Sequence, residues 1–258
     1  MKKIDINVFF GRWGIRSKGC YSIPELRHNL EKHKVESAAV TSTVALVTDT
    51  KAGNQWLLEE IPKNKHGLKP AICVNPYWGE GDIKAFFEKD TPLVRLFPAL
   101  HNYSLQNEKL LAPVLSYFEP QKNPLVLLTA GVTPQFAALA PVVGFNPAIN
   151  WPEIIAFARG HPKLNIVVTG SAPEYFQVED FANMLKSNPN LYFETSCWHQ
   201  AGLLEKICRL GCAHKIMFGS AFGILDMGSA VEKIMFASIS ENEKKLVFYE
   251  NAAPFLQT

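Results

Sequence analysis

Residues 165–169, Asn-Ile-Val-Val-Thr, and residues 191–195, Leu-Tyr-Phe-Glu-Thr, are the stretches that decide the fold. Both are short runs rich in β-branched and aromatic residues, and each predicts a buried strand. Residues 178–186 between them, Val-Glu-Asp-Phe-Ala-Asn-Met-Leu-Lys, predict a helix. A strand, a helix and a second strand in this order predict two parallel strands joined by a crossover helix.

The same alternation continues in both directions along the chain. Eight strand-like runs are present: Ile4–Phe10, Ser37–Thr43, Lys69–Val74, Leu93–Phe97, Leu125–Leu128, Asn165–Thr169, Leu191–Thr195 and Lys215–Phe218. Helices are predicted from Ser22 and near Asn54–Ile61, Asp82–Glu88, Asn107–Phe118, Trp151–Arg159, Val178–Lys186, Ala201–Leu210, Ser229–Ala237 and Glu241–Tyr249. Eight strand–helix units predict an α/β fold, with residues 1–258 forming a single (β/α)8 TIM barrel domain. An open doubly wound sheet is the alternative, because periodicity does not reveal whether a sheet closes.

Composition excludes several classes of protein. Hydrophobic residues make up 47% and charged residues 19%, which excludes a disordered chain. The formal net charge of +2 gives no support for nucleic-acid binding. No apolar run reaches the roughly 18 residues of a membrane span, and the start of the chain lacks the pattern of a signal peptide. We therefore expect a cytoplasmic protein with no membrane or nucleic-acid partner; the sequence leaves open whether it forms a homo-oligomer.

The cysteines and the common catalytic motifs point to no particular chemistry. The five cysteines are widely spaced and form no C-x-x-C pair, so we expect free thiols in a reducing compartment. The chain contains no phosphate-binding loop, no G-x-S-x-G nucleophile motif and no H-E-x-x-H zinc motif.

The barrel prediction itself sorts the polar residues, because TIM barrels carry their functional groups at the carboxyl ends of the strands. Of the seven histidines, His101 and His199 follow strands at this face, and either is a candidate general acid or base. Glu194, at the end of the seventh run, is a candidate to orient one of them. The alternative for His101 and His199 is that each is an ordinary hydrogen-bonded histidine in a loop, without a catalytic role.

Eight further residues are predicted to line the mouth of the barrel and bind a small-molecule substrate. Arg12 and Arg16 follow the first strand and offer a bidentate grip on a carboxylate, with plain surface charge as the alternative. Arg95 either faces the mouth or pairs with an acid such as Glu194 inside the fold. The full set is Asn7, Arg12, Arg16, Arg95, Tyr103, Thr129, Thr169 and Ser220.

Several segments, in order, resemble a known family. The first strand, Ile4–Gly11, is similar to the opening strand of the amidohydrolase superfamily, whose pattern there is Asp-x-His-x-His-x-Gly. The branch that includes aminocarboxymuconate-semialdehyde decarboxylase is the most similar. Further similar segments are Leu93–Pro98 with His101–Leu105, His161–Val168, Asn190–Ser196, Lys215–Ser220 and Glu250–Ala253. The resemblance implies a metal-dependent-hydrolase type of TIM barrel, acting as a hydrolase or decarboxylase on a small carboxylate-bearing or cyclic substrate.

The chain departs from the family at the positions of the metal ligands. Asn7 and Phe9 stand where the family has its paired histidines, and Thr129 stands at the usual ligand position of strand five. Residues 168–171, Val-Thr-Gly-Ser, replace the histidine after strand six, and Ala221 replaces the aspartate after strand eight. A catalytic zinc needs about three protein ligands. We therefore expect no cofactor; zinc or another divalent metal is expected only through non-family ligands such as Cys73, Cys197 and His199.

Three functions stay open from the sequence. The first is a hydrolase or decarboxylase of the family type with a degenerate metal site. The second is a non-catalytic barrel that binds a small molecule or a protein partner, and the third is a metal-free lyase that uses histidine and arginine. A barrel mouth closed by Phe9, Phe97, Trp198 and Phe222 favours the second. Exposed arginine and histidine around an open cavity favour the first or the third.

Overall fold

Parallel strands alternate with helices along the chain in a computed structural model that describes residues 1–12, 19–20, 22–61, 67–87, 93–130, 150–171 and 177–256. The strands are β1 (Lys3–Arg12), β2 (Gly19–Cys20), β3 (Val35–Ser42), β4 (Leu68–Pro70), β5 (Ile72–Val74), β6 (Leu93–Leu96), β7 (Leu125–Thr129), β8 (Asn165–Thr169), β9 (Leu191–Glu194) and β10 (Ile216–Met217). The α-helices are α1 (Ile23–Lys32), α2 (Thr43–Val47), α3 (Thr50–Glu60), α4 (Glu80–Phe87), α5 (Pro98–His101), α6 (Glu108–Phe118), α7 (Trp151–Gly160), α8 (Val178–Ser187), α9 (Leu203–Arg209), α10 (Met227–Met235), α11 (Glu241–Lys245) and α12 (Ala253–Leu256).

The strands form two sheets whose ends meet. One sheet has the order β2-β1-β3-β4 and the other the order β10-β9-β8-β7-β6-β5. Only the short β2 is antiparallel to its neighbour β1. At one seam, β4 pairs with β3 while β5, one residue further along the chain, pairs with β6. This single stretch of chain therefore belongs to both sheets.

Backbone hydrogen bonds also connect β1 with the segment that follows β10. Ile6 donates to the carbonyl of Phe218 at 3.0 Å, Ala221 donates to Asn7 at 2.8 Å, and Phe9 donates to Phe222 at 2.8 Å. With β4 and β5 taken together, eight parallel strands surround one axis. The predicted (β/α)8 barrel is confirmed, and the alternative of an open doubly wound sheet is wrong.

Helix starts follow the capping residues in the sequence. Ser22 accepts a hydrogen bond from the backbone N–H of Glu25 at the start of α1, and a proline lies in the first turn. Asn150 caps α7 in the same way through the N–H of Glu153. These caps satisfy backbone donors that a helix otherwise leaves without partners. No helix in the described ranges is long and apolar enough to cross a membrane.

The short helices α2 and α5 were not predicted. Residues 43–47, Thr-Val-Ala-Leu-Val, form α2, although their composition is typical of a strand; the side chain of Ser42 caps this helix through the N–H of Ala45. Residues 98–101 form α5 directly after β6. The predicted helix Glu241–Tyr249 is present, but its α-helical part ends at Lys245 and residues 246–250 continue it as a π-helix.

Three layers of side chains fill the barrel along its axis. Residues two apart on a strand point to the same side, so Leu93, Arg95 and Phe97 all point inward. Leu93 belongs to an apolar cluster near the amino ends of the strands, the basal apolar cluster, which also contains Leu125, Leu127, Val167 and Met217. Phe97 belongs to a second cluster near the carboxyl ends, the upper apolar cluster, formed by Phe9, Ala45, Leu46, Cys73, Phe97, Ala99, Ala221 and Ile224. Arg95 therefore lies between two apolar layers.

Candidate functional site

The guanidinium of Arg95 occupies the polar layer between these clusters, and the side chain is 0% exposed. Its Nε donates to Thr41 Oγ1 at 2.9 Å. Its Nη1 donates to Thr129 Oγ1 at 2.9 Å and to Thr169 Oγ1 at 3.1 Å. Its Nη2 donates to Asn7 Oδ1 at 2.8 Å. One side chain on β6 thus binds β1, β3, β7 and β8 across the barrel interior.

The surroundings of this cation are uncharged at close range. The Arg95 guanidinium carbon lies 4.9 Å from the centroid of the Phe9 ring, a cation–π contact. Burial lowers the pKa of Arg95 to about 10, while Cys73 and Glu194 act in the opposite direction. Arg95 therefore stays protonated at neutral pH. The same burial raises the pKa of the neighbouring Cys73 thiol to about 12, so this thiol stays protonated too.

Glu194 supplies the nearest network of negative charge and reaches Arg95 through an amide. Asn7 Nδ2 donates to Glu194 Oε1 at 3.3 Å, while the oxygen of the same amide accepts from Arg95. The carboxylate also accepts from the backbone N–H groups of Ser196 at 2.6 Å and Gly170 at 3.1 Å, and from Ser196 Oγ at 2.7 Å. This dense set of donors fixes the orientation of a fully buried carboxylate.

A second buried carboxyl group, that of Asp5, lies beside Ser220. Asp5 Oδ1 accepts from the backbone N–H groups of Asn7 at 3.0 Å and Ser220 at 3.1 Å, and Asp5 Oδ2 is hydrogen-bonded to the Ser220 hydroxyl. Burial raises the pKa of Asp5 to about 7, although these hydrogen bonds oppose the shift. Asp5 therefore changes charge near neutral pH inside the barrel.

A cavity of about 450 Å³ opens at the carboxyl ends of β9 and β10. Its apolar wall includes Trp198, Leu203, Leu204, Leu225, Ala230 and Phe236. Its polar lining includes Ser196, His199, Glu205, Ser220, Asp226 and Lys233. Ser196 and Ser220 connect this cavity to the polar layer, because they are the hydrogen-bond partners of Glu194 and Asp5.

Charged groups in the cavity are held by the backbone. Lys233 Nζ donates to the carbonyl of Thr195 at 2.7 Å, which places an ammonium group on the cavity wall. Asp226 caps α10 by accepting from the N–H of Ser229 at 2.7 Å. Glu205 accepts from the N–H of Ser238 at 3.2 Å. The two carboxylates are thus engaged with backbone donors, and the lysine with a backbone acceptor.

The structure separates the predicted site residues into groups. His199 and Ser220 line the cavity. Asn7, Arg95, Thr129, Thr169 and Glu194 lie in the polar layer. Arg12 is exposed at the end of β1, and Arg16 lies outside the described residues. Arg95 lies inside the fold, and it is connected to Glu194 through the side chain of Asn7.

His101 and Tyr103 lie away from the cavity. His101 Nε2 is 3.4 Å from the carbonyl oxygen of Leu46, and its Nδ1 is buried without a partner among the described residues. Burial lowers the pKa of His101, which favours the neutral imidazole. The hydroxyl of Tyr103 is likewise buried without a partner in the described part of the chain, and burial raises the pKa of this phenol. Neither side chain is among those that line the cavity.

Sequence reasoning missed three residues of these sites. Lys233 lies on α10, behind the strand ends, and nothing in a lysine on a helix indicates that it reaches a cavity. Ser196 and Thr41 carried a usable signal, because each stands at the carboxyl end of a predicted strand, where TIM barrels place functional groups. This signal alone does not identify a site, because a hydroxyl residue at a strand end is common.

The residues at the barrel centre do not offer a metal site. No group of three His, Cys, Asp or Glu side chains suited to a metal ion occurs within the described ranges. The predicted alternative ligands do not converge there: Cys73 is in the upper apolar cluster, whereas His199 lines the cavity. The oxygen atoms that surround the Arg95 guanidinium include those of one amide and three threonine hydroxyls, and each of these accepts a hydrogen bond from Arg95.

Comparisons with known proteins extend these observations. The sequence model of a family described as amidohydrolase matches residues 27–257. The match begins after the first strand, so the similarity of Ile4–Gly11 lies outside it. A comparison with curated proteins found no match.

Solved structures share the fold over almost the whole chain. A 5-carboxyvanillate decarboxylase from Sphingomonas paucimobilis has a TM-score of 0.72 at 12% identity, with 99% of each chain covered. A TIM-barrel protein from Bordetella bronchiseptica has a TM-score of 0.72 at 14% identity, covering 100% of this chain and 99% of its own.

A third structure contains a metal. It is a dihydroxybenzoic acid decarboxylase from Polaromonas sp. JS666 with bound manganese and the inhibitor 2-nitroresorcinol, with a TM-score of 0.67 at 13% identity, covering 99% of this chain and 97% of its own. The polar layer of the present chain does not fit such an ion, because its oxygen atoms are already bound to a guanidinium.

Proposed function

The chain belongs to the amidohydrolase family, and on that premise we propose that it acts on a small carboxylate-bearing ring compound, as a hydrolase or decarboxylase, in the cavity beside His199. The observation that carries the proposal is the cavity itself. It lies at the carboxyl ends of β9 and β10, and its volume of about 450 Å³ falls within the range of ligand pockets.

The lining matches a ligand with one apolar and one anionic side. Trp198, Leu203 and Leu225 offer surface for a ring, and the ammonium of Lys233 offers a charge-assisted hydrogen bond to a carboxylate. Asp226 and Glu205 oppose an anion electrostatically. The side chains of Asp226 and Glu205 already accept hydrogen bonds from backbone N–H groups. We therefore assign the Lys233 ammonium to the carboxylate of the ligand.

His199 is the group we assign to proton transfer. Imidazole titrates near neutral pH and serves as a general acid or base. In a hydrolysis it would accept a proton from the attacking water. In a decarboxylation the bond to the carboxyl carbon breaks, carbon dioxide leaves, and His199 would deliver a proton to the ring carbon. Neither reaction uses a metal at the barrel centre.

Binding without turnover is a second candidate, favoured by a specific observation. Phe9, Phe97 and Trp198 are buried and Phe222 is half-buried, which is the arrangement expected of a non-catalytic barrel. The upper apolar cluster covers Arg95 completely. A ligand in the cavity therefore meets Ser196 and Ser220 but not the guanidinium.

Calorimetric titration with 2,6-dihydroxybenzoate, and with resorcinol as the analogue that lacks the carboxylate, tests the site. We expect the carboxylate to bind more tightly than resorcinol. Lys233→Met is expected to weaken binding of the carboxylate roughly tenfold and to leave resorcinol unchanged. Lys233→Arg restores binding, and the exposed Lys245→Met serves as the matched control.

Product analysis by chromatography then separates the two candidates. Release of a decarboxylated or hydrolysed product by the unmodified chain, lost in His199→Gln and kept in the exposed His214→Gln, supports catalysis. Binding with no product from a panel of ring carboxylates supports a binding protein. If no ring carboxylate binds, or if Lys233→Met leaves the affinity for the carboxylate unchanged, both the catalytic and the binding candidate are wrong.

A further inference from the structure

Four of the five side chains described here in contact with Arg95 stand at positions where, on the resemblance to the family, the sequence departs from the family's metal ligands; the fifth is Thr41. Asn7 and Thr129 replace two such ligands, and both accept hydrogen bonds from the guanidinium. Thr169 lies in the segment that replaces a third ligand and also accepts from it. Phe9 replaces a further ligand, and the centroid of its ring lies 4.9 Å from the guanidinium carbon of Arg95. One cationic side chain therefore contacts most of the altered positions.

We propose that the Arg95 guanidinium takes the place of a metal ion at the centre of this barrel, which therefore carries its own fixed cation and takes up no metal there. The proposal goes beyond the proposed function, because that function concerns the cavity beside His199 and does not require Arg95.

Charge and geometry both favour this assignment. A guanidinium is planar and carries five N–H donors, and four of them point to acceptors on four different strands. A divalent ion among the same oxygen atoms would lie within a few ångströms of a positive charge in a medium of low dielectric constant, where repulsion is strong. Amide and hydroxyl oxygens are also weak ligands compared with imidazole, thiolate or carboxylate.

Glu194, the carboxylate linked to Arg95 through Asn7, is held away from this role. Glu194 is bound by two backbone N–H groups and the Ser196 hydroxyl on its own side of Asn7. Its charge balances that of Arg95 through the Asn7 amide without direct contact. Recruiting Glu194 to a metal would break these hydrogen bonds and leave Arg95 without its balancing charge.

Metal titration of the unmodified chain is the first test. The protein is freed of metal with a chelator and titrated with Mn²⁺ and Zn²⁺, and the bound metal per chain is measured after gel filtration. In parallel, methyl signals of threonine are followed by NMR during the Mn²⁺ titration. We expect the Thr41, Thr129 and Thr169 signals to keep their intensity. Stoichiometric uptake of Mn²⁺ that broadens these three signals would overturn the proposal.

Restored ligands test whether Arg95 is the group that keeps metal out. The triple variant Asn7→His/Phe9→His/Ala221→Asp keeps Arg95, and a quadruple variant adds Arg95→Leu. We expect about one Zn²⁺ per chain in the quadruple variant and at least tenfold weaker binding in the triple variant. Equal affinities in the two variants would contradict the proposal. If neither variant folds, the titration of the unmodified chain still decides.

Discussion

Asn7 Oδ1 lies 2.8 Å from Nη2 of Arg95, and this contact fixes which way the Asn7 amide faces. An amide oxygen accepts and an amide nitrogen donates, so the nitrogen must face the other neighbour, the carboxylate of Glu194, 3.3 Å away. Both partners are fully buried and carry opposite charges. Asn7 thus connects two opposite charges that are not in direct contact, and its amide gives each of them a hydrogen-bond partner.

Removing this bridge is expected to destabilise the barrel strongly. Asn7→Leu has a similar volume but leaves two buried charged groups with a missing partner, and breaking a buried charged network costs roughly 3–5 kcal/mol. The free energy of unfolding in urea measures the effect. Asn183→Leu on the exposed side of α8 is the control and is expected to change stability by less than about 0.5 kcal/mol. Similar values for the two variants would show that the bridge contributes little.

Asp5 is expected to make stability fall as the pH rises. Because its pKa is about 7 in the folded chain and 3.8 in the reference state, the folded chain holds a proton that the unfolded chain releases. The stabilisation is complete below about pH 4 and is lost as the pH rises towards 7, by up to roughly 4 kcal/mol.

Asp5→Asn tests this dependence, because the amide keeps its contacts to the N–H groups of Asn7 and Ser220 without a charge. Urea unfolding of both chains at pH values from 4 to 8 measures the difference. We expect the variant to gain stability relative to the parent as the pH rises. A constant difference across this range would mean that Asp5 does not titrate there.

Strand β6 shows which features of the fold could be predicted from the sequence. The run Leu93–Phe97 indicated a strand, and period-two alternation places Leu93, Arg95 and Phe97 on one side. Closure of the barrel was not readable in this way, because it depends on backbone hydrogen bonds between β1 and the segment after β10, near the other end of the chain. The helix α2 was missed because a capping contact from Ser42 prevails over a strand-like composition.

The site was less predictable than the fold. Asn7, Thr129 and Thr169 were identified as inward-facing polar residues, but as substrate ligands. Their common partner is an arginine on another strand, and no spacing in the sequence records that the Arg95 side chain reaches across the barrel. Lys233 was missed for the same reason, since its place on the cavity wall follows from the packing of α10.

Gly219 is expected to be essential to the position of Glu194. A Cβ atom at residue 219 would lie 2.1 Å from Glu194 Oε2 and 2.9 Å from its carboxyl carbon. Gly219→Ala must therefore displace a carboxylate held by several donors, at a cost of roughly 1–3 kcal/mol. Gly81→Ala is the matched control: none of the residues that the structure describes lies within 4 Å of its added Cβ, and in α4 alanine is favoured by about 0.5–1 kcal/mol. Thermal unfolding of both variants checks the two opposite signs.

His101 is expected to make stability fall in acid. Burial lowers its pKa below the usual 6.5, so the unfolded chain binds a proton more readily than the folded chain. Its contribution is present above about pH 6.5 and is lost as the pH falls through the lowered value. His101→Gln should reduce this loss, whereas the exposed His214→Gln should not. NMR titration of the His101 ring in the parent chain gives the direct check, and an ordinary histidine titration curve there would contradict the expectation.

Phe236 separates ligand binding from stability. The residue is 83% exposed yet lines the cavity, so its ring contributes little to the core and is free to pack against a ligand ring. Phe236→Ser is expected to change the free energy of unfolding by less than about 0.5 kcal/mol. Loss of a ring contact worth about 0.5–1.5 kcal/mol should weaken binding of 2,6-dihydroxybenzoate roughly three- to tenfold.

The neighbour of Phe236, Met235, provides the control. It is 44% exposed and is not among the cavity-lining residues, so Met235→Ser should leave the affinity unchanged. Calorimetry on the three chains measures these affinities, and equal binding by all three would place the ligand elsewhere than against Phe236.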